Sequence, residues 1–276
     1  VILMKRKAVL VIGAAIIVLA VALGLWFGLH RRTEYVSIRD KIIVDDGDTF
    51  YFENQLVSLP SRNSTNKVRL LGIDAPEAGQ DWYEKAKEFF ERQISLSERT
   101  IYMKIPDEPQ DQLGKWRRLL AVVYLDKACE QSLNEMLIEK GLSIIYKLPK
   151  SLEDLKIVSD CLLDAQVQAA FDRKGRWNTD QQVVIAAIRY WGSPEQVVLI
   201  NRGDHVISLE GWYLIDAAPE RPHKFDLATE ISPPEIRPGS MVRFSTERVW
   251  NDDGDTARLY DDQGILVDTY QYKGPG

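Results

Sequence analysis

Apolar residues along this chain follow three rhythms, and each predicts a different kind of structure. From Ala8 to Leu29 they run without a charge for roughly 22 positions, long enough at helical rise to cross a bilayer. Short strand-like runs come next: Ser37 to Val44, Phe50 to Phe52, "KVRLLGI" (Lys67 to Ile73) beyond the polar loop Ser61 to Asn66, and "RLLAVVYL" (Arg118 to Leu125). Between and after them the spacing turns helical. Tyr83, Ala86, Phe89, Phe90 and Gln93 recur at three- and four-residue steps within Trp82 to Leu96. In "SLNEMLIEKGLS" Leu133, Met136 and Leu137 share a face, and Gly141 is placed to end the helix. A third helix is predicted from Ser151, with Asp154 three residues on as in a cap, through Leu155, Val158, Leu162, Ala165 and Ala169 to Gly175.

Past Trp177 the helical rhythm disappears. Short alternating runs replace it at Val183 to Tyr190, Gln196 to Asn201, His205 to Leu214, Met241 to Ser245, Ala257 to Tyr260 and Ile265 to Tyr272, with Gly, Pro and Asp filling the gaps. That density of short strands predicts a β-sandwich. A chain of 276 residues is long enough for two domains, each with its own core. The expected organisation is a membrane anchor and spacer over 1–35, an α+β domain over 36–178 and an all-β sandwich over 182–274, joined near Asn178 to Gln182.

Lys5-Arg6-Lys7 precede the long apolar run and Arg31-Arg32 end it. Ala20-Val21-Ala22 has the small-x-small form that signal peptidase reads, so cleavage near Ala22 and secretion is the alternative to an anchor. The run continues through Leu23, Leu25, Trp26, Phe27 and Leu29, which a cleaved signal does not need and an anchor does. A single transmembrane helix over 8–29 is therefore expected. The balance of three cations before and two after says little about orientation.

Composition is that of an ordinary globular protein, and the net charge of -6 supplies no global basic field. A polyanionic partner must then be held by a local patch or a metal. Cys129 and Cys161 lack the clustering of a zinc site, and three histidines make a His-rich metal centre unexpected. In an oxidising compartment the two cysteines could form a disulfide; two unpaired core thiols are the alternative.

"DDGDT" occurs twice, at 45–49 and at 252–256. Downstream of the first copy stand "RLLGIDAPE" (Arg69 to Glu77) and "RRLLAVVY" (Arg117 to Tyr124). Two carboxylates from different strands, for which Asp48 and Asp74 are suited, plus a backbone carbonyl can form half the shell of a hard cation such as Ca²⁺, leaving places for water and a phosphate oxygen. A phosphodiester under attack gathers charge on its oxygens, which the guanidinium groups of Arg69 and Arg118 can stabilise. Glu77, three residues after Asp74 across a Pro turn, can take a proton from an attacking water. Singly, each has a structural reading: DGDT as a turn, Arg69 as an ion-pair partner, Glu77 as a helix cap.

These three segments, with "LNEMLIEKGLS" and the terminal "DRKGRWN", resemble the staphylococcal-nuclease family over roughly residues 36 to 178. The resemblance implies an OB-type β-barrel of five strands with three helices, and Ca²⁺-dependent cleavage of DNA and RNA giving 3′-phosphate ends. It also implies Asp48 and Asp74 as metal carboxylates, the Ala75 carbonyl as a metal ligand, Asp46 as their acidic neighbour, and Arg69, Glu77 and Arg118 as the catalytic trio. The segment "LGKWRRLLAVVY" departs from the family's Tyr-Gly-Arg, so Arg117 is the alternate for Arg118. A site with about two carboxylates is expected to bind Ca²⁺ at roughly 10⁻⁴ to 10⁻³ M, which suits the outer face of the membrane and leaves the enzyme idle in cytosol.

The second "DDGDT" shares no flanking pattern with the first and has no Arg strand or Pro-Glu turn after it; it reads as a turn into a terminal hairpin around Gly254. With "VVLINRGDHVISLEGWYLID", "IRPGSMVRF" and "WNDDGDTARLYDDQGILVDTY" it resembles the lamin-tail domain, an immunoglobulin-like sandwich, over about 182 to 274. Trp191, Trp212 and Trp250 are expected to pack rather than to stack on bases. The ligand of this sandwich is open. The combined expectation is a membrane-tethered nuclease; the alternative is an inactive surface protein that binds nucleic acid or adheres.

Overall fold

The computed structural model of the protein describes residues 35–59, 64–97, 100–148 and 156–273, with side chains for all of these except Lys115 and 156–159. The expected anchor at 8–29 and the cap at Ser151 lie outside the described residues. Among the described residues no helix is long and apolar enough to cross a membrane. Val36–Gly276 forms one compact unit, mostly β with a few helices.

Ten strands build its first part: β1 (Val36–Arg39), β2 (Ile42–Val44), β3 (Thr49–Phe52), β4 (Val57–Ser58), β5 (Ser64–Thr65), β6 (Lys67–Leu70), β7 (Ile73–Asp74), β8 (Thr100–Lys104), β9 (Leu119–Tyr124) and β10 (Ile144–Ile145). Among the described residues three α-helices accompany them, α1 (Tyr83–Leu96), α2 (Leu133–Glu139) and α3 (Lys156–Phe171). The main sheet has the order β1-β8-β9-β6-β3-β2. Its two edges are therefore consecutive pieces of one strand-like stretch, and the sheet must curl until they meet. The single strand expected over Ser37 to Val44 is broken at Asp40, whose carboxylate accepts from the backbone of Lys41, Asn54 and Gln55. The bend lets one stretch of chain serve both edges.

Inside the curl, Phe50, Phe52 and Phe90 meet edge to face, and α1 contributes Ala86, Phe90 and Ile94. Ser132 caps α2 by accepting from the Glu135 amide at 3.1 Å. Asn134 on that helix is buried and tied to the Val123 amide and the Leu71 carbonyl. Gly141, at φ +65°, ends the helix, and its carbonyl accepts from the Arg176 amide at 3.0 Å. A Cβ on Gly175 would lie 2.6 Å from the Gly141 carbonyl carbon, so the two backbones touch where only glycine fits.

The second part comprises β11 (Val183–Arg189), β12 (Glu195–Asn201), β13 (Ile207–Ser208), β14 (Tyr213–Ile215), β15 (Lys224–Asp226), the short helix α4 (Leu227–Glu230), β16 (Glu235–Ile236), β17 (Ser240–Thr246), β18 (Gly254–Tyr260) and β19 (Leu266–Lys273). Its sheets have the orders β11-β12-β17 and β15-β14-β18-β19, with β13 and β16 paired beside them. The run expected over His205 to Leu214 divides into β13 and β14 around Gly211, at φ +76°. Trp191 and Trp250 are buried and Trp212 half-buried, as packing residues should be.

One hydrophobic core spans both parts. Strand β11 packs between α3 and β19, which explains why Val183 to Ile188 are buried without alternation. Its register shifts between Ile185 and Ala187, and the carbonyl of Ala186 turns to accept from Gln166 Nε2 of α3 at 2.7 Å. The same amide donates to the Tyr270 hydroxyl, while Gln166 Oε1 accepts from the Ile145 amide at 2.6 Å. Trp177 stacks on Tyr270 with centroids 6.1 Å apart.

Candidate active site

The turn after β2 is built by its own backbone. The amides of Asp45 and Asp46 donate to the Thr49 carbonyl, and Asp46 Oδ1 accepts from the Asp48 amide at 3.0 Å. Gly47 has no room for a side chain, since a Cβ there would lie 2.7 Å from the Ala75 Cβ and 2.8 Å from that of Ala86. This close approach brings the Asp48 turn against the turn after β7. The Leu70 amide donates to the Asp48 carbonyl, and Thr49 lies opposite Arg69 in the β3–β6 ladder.

The consequence is a convergence of three charged side chains. Arg69 Nη1 makes an ion pair with Asp48 Oδ2, and Nη2 one with Asp74 Oδ1 at 2.8 Å. Asp48 Oδ2 also accepts from the Ala75 amide at 2.7 Å, and its Oδ1 from the Thr49 hydroxyl at 3.0 Å. Ala75, expected to act through its carbonyl, here orients Asp48 through its N–H. Asp74 is held by the pairing of β7 with β10, where it faces Ile144.

Arg118 immediately precedes β9 in extended conformation, and its Nε is buried without a hydrogen-bond partner. Its charge reaches Arg69 and Tyr146. Arg117 sits in the left-handed region at φ 56° and is exposed. Glu77 is exposed, with its amide bonded to Gln80 Oε1 at 2.8 Å, and its charge is felt at Asp74.

Burial pushes the Asp74 carboxyl above the usual carboxylate range, and Arg69 opposes the shift; Asp46 is raised for the same reason. Burial lowers Arg69, with Asp74 pulling back and Arg118 adding to the fall. Tyr146, which the sequence reading passes over, lies under Arg69 with its ring centroid 5.9 Å from the guanidinium carbon. Its phenol is pushed up to about 12 by burial, reinforced by Asp74. The only sequence signal for it is an aromatic after the buried pair Ile144-Ile145.

The donor set fits a hard divalent cation. Asp48 and Asp74 come from different turns yet reach one guanidinium, and burial makes Asp74 and Asp46 weaker acids, carboxylates that a further cation would stabilise in charged form. Among the described residues no three His, Cys, Asp or Glu gather into a complete cage. Such a site fills its shell with water and substrate oxygens.

The second "DDGDT" is committed elsewhere. Asp255 is buried and accepts from the amides of Ala217, Asn251 and Thr256 and from the Asn251 side chain. Asp252 pairs with Lys147 at 2.6 Å. Cys129 and Cys161 are free thiols; the Cys129 Sγ faces the Asp126 carbonyl at 3.5 Å, in a turn capped by the Asp126 carboxylate, and Cys161 is exposed on α3.

Comparison with known proteins places residues 67–179 on the family model of the staphylococcal nuclease homologues and residues 178–274 on that of the lamin tail domain. A Haemophilus influenzae protein named an uncharacterized endonuclease is 34% identical over 104 residues, 38% of this chain and 49% of the relative. The chain thus spans about half the length of that relative. The turn carrying Asp46 and Asp48 lies before the first matched segment and is tied to it by geometry.

Proposed function

We propose that this chain, in which a staphylococcal-nuclease-type domain is followed by a lamin tail domain, is a nuclease that hydrolyses phosphodiester bonds of DNA or RNA. The observation that carries the reading is the joining of Asp48 and Asp74 by the Arg69 guanidinium, with Arg118 beside it. In finer detail, the proposal takes the curled sheet as an OB-type barrel and the second part as an immunoglobulin-like sandwich.

Asp48 and Asp74, with the Ala75 carbonyl, would hold Ca²⁺, and Asp46 would brace the turn. A Ca²⁺ held there would supply positive charge against the phosphate of the substrate. Arg69 and Arg118 hydrogen-bond the equatorial oxygens, whose charge grows as the water attacks. The buried, unpartnered Nε of Arg118 is a donor with an unmet need for such an oxygen. Glu77, exposed beside Asp74, takes the proton from the attacking water. Tyr146 stays a neutral phenol at physiological pH and can donate a hydrogen bond to an anion in the cleft. Cleavage leaves a 3′-phosphate. The proposal keeps the anchor over 8–29 and a catalytic domain on the outer face of the membrane; removal of that domain by protease added to intact cells tests this part.

The central test is digestion of DNA and RNA with Ca²⁺ and with chelator. Glu77→Gln is expected to lower the rate by about 10²-fold or more while leaving the circular dichroism unchanged. Cleavage that survives chelation, or a fully active Glu77→Gln, removes the mechanism.

A further inference from the structure

A cavity of about 540 Å³ opens beside Asp74, and its two walls come from different parts of the chain. Asp74, Pro76, Trp82 and Arg176 line it from the first part; Gln271 and Lys273 line it from the second. Gln271 and Lys273 belong to β19, the last strand of the lamin tail domain. A volume of this size falls within the range of ligand sites, roughly 300 to 1,000 Å³. The Trp82 ring is already covered by Lys85 Nζ at 4.1 Å, so what this space offers a nucleic-acid strand is the charge of Lys273 and Arg176.

The wall formed by β19 is fixed relative to the active site. Tyr272 is buried, stacks on Tyr190 at 4.1 Å and donates to the Asn251 carbonyl at 2.9 Å. The Tyr190 hydroxyl in turn accepts from the Lys147 amide, next to Tyr146. Lys147 Nζ meets Asp252, so the second "DDGDT" turn is clamped to the nuclease part. Lys273 therefore projects from a rigid root. Neither Lys273 nor Arg176 makes an ion pair among the described residues, although the Lys273 charge reaches Asp74. Arg176 lies with its guanidinium carbon 5.6 Å from the Trp177 ring.

We propose that Lys273 and Arg176 bind the phosphodiester backbone of the nucleic-acid substrate on the flank of the bond held at Asp48 and Asp74. The lamin tail domain is then a wall of the substrate cleft and supplies a binding residue to it. This assignment rests on the nuclease reading for its substrate class, and adds a role for a domain to which that reading gives none.

The test uses the full chain, a short fluorescein-labelled oligodeoxynucleotide, and anisotropy measured with chelator present so that binding is read without cleavage. Lys273→Ala is expected to weaken binding roughly three- to tenfold at low salt and to reduce the slope of log K against log salt by about 0.7, the value of one lost phosphate contact on a single strand. Lys273→Glu weakens it further and Lys273→Arg restores the slope. Arg176→Gln gives a second, independent loss of the same kind. An unchanged slope in Lys273→Ala, with affinity equal to the parent, overturns the proposal. Cleavage by the parent protein with Ca²⁺ is scored separately: Lys273-dependent binding without cleavage overturns the nuclease reading alone, and cleavage with Lys273-independent binding overturns this one alone.

Discussion

Replacing Gln166 by Leu should loosen the joint between the two parts of the molecule, and the structure sets the size of the effect. Gln166 is fully buried and makes three hydrogen bonds: from the Ile145 amide, to the Ala186 carbonyl and to the Tyr270 hydroxyl. Tyr270 keeps a bond from the Ile188 amide after the change. The Ile145 amide and the Ala186 carbonyl lose the partner that Gln166 provides, and Ala186 sits where the β11 register shifts. Each such group costs about 1–3 kcal/mol when left unmade, so a loss of roughly 3 kcal/mol is expected once partial relaxation is allowed for. Gln166→Glu retains the acceptor for Ile145 but loses the donor and buries a charge, and should be no milder. Guanidinium unfolding followed by tryptophan fluorescence and by circular dichroism measures both, with Trp177 reporting on the Tyr270 contact. A loss under about 1 kcal/mol for Gln166→Leu, with an unchanged m-value, would refute the assignment of this side chain as a buried polar link.

Three other outcomes follow from the geometry. Gly47→Ala forces its Cβ against Ala75 and Ala86, so it should cost about 1–3 kcal/mol in thermal or chemical melts and depress nuclease rate by displacing Asp48; wild-type stability and rate together would contradict the close approach. Asp48→Asn should abolish metal-dependent cleavage, whereas Asp255→Asn should retain it and instead lose roughly 1–3 kcal/mol of stability, because Asp255 serves backbone amides; equal loss of cleavage in both would make the second motif a site. Burial raises the Asp268 carboxyl although it accepts from the Ile185 amide at 2.7 Å and has Arg202 and Arg176 nearby. A raised folded value means that its contribution is full below the unfolded pKa of about 3.9 and is lost as pH rises through the folded one. Asp268→Asn should therefore gain stability on the parent as pH climbs from acid to neutral, and a pH-independent difference in melting temperature would contradict the shift.

Much of the local structure was legible because the relevant signals are local. Leu133 and Leu137 mark the buried face of α2, Gly141 and Gly175 follow helix ends, and Ala86 and Phe90 mark the buried stripe of α1. The candidate site was legible as a set of residue types at set spacings, since Asp48, Arg69 and Asp74 each lie at the end of a short strand or within one. What escaped depends on contacts between distant segments. Thr100–Lys104 carries only five residues, two of them buried, and gains its place as β8 by pairing with β1 and β9. Nothing near Gln166 in sequence says that its partners stand at Ala186 and Tyr270. Tyr146 lies under Arg69 only because β10 pairs with β7, and Lys273 lines the cleft only because β19 is clamped through Tyr190. Trp82 starts α1 from a left-handed conformation at φ 72°, without a side-chain cap, which no capping rule anticipates.

The contact between Gly141 and Gly175 bears on how this two-part architecture can change. Those glycines press the end of the first part onto the end of α2 only a few residues before β11 begins, leaving almost no slack in the tether. A pendant module could be exchanged for another by recombination at its linker. This one behaves as a keystone, and a foreign tail grafted after Asn178 would need to bring its own irregular first strand to meet a glutamine already waiting on the host.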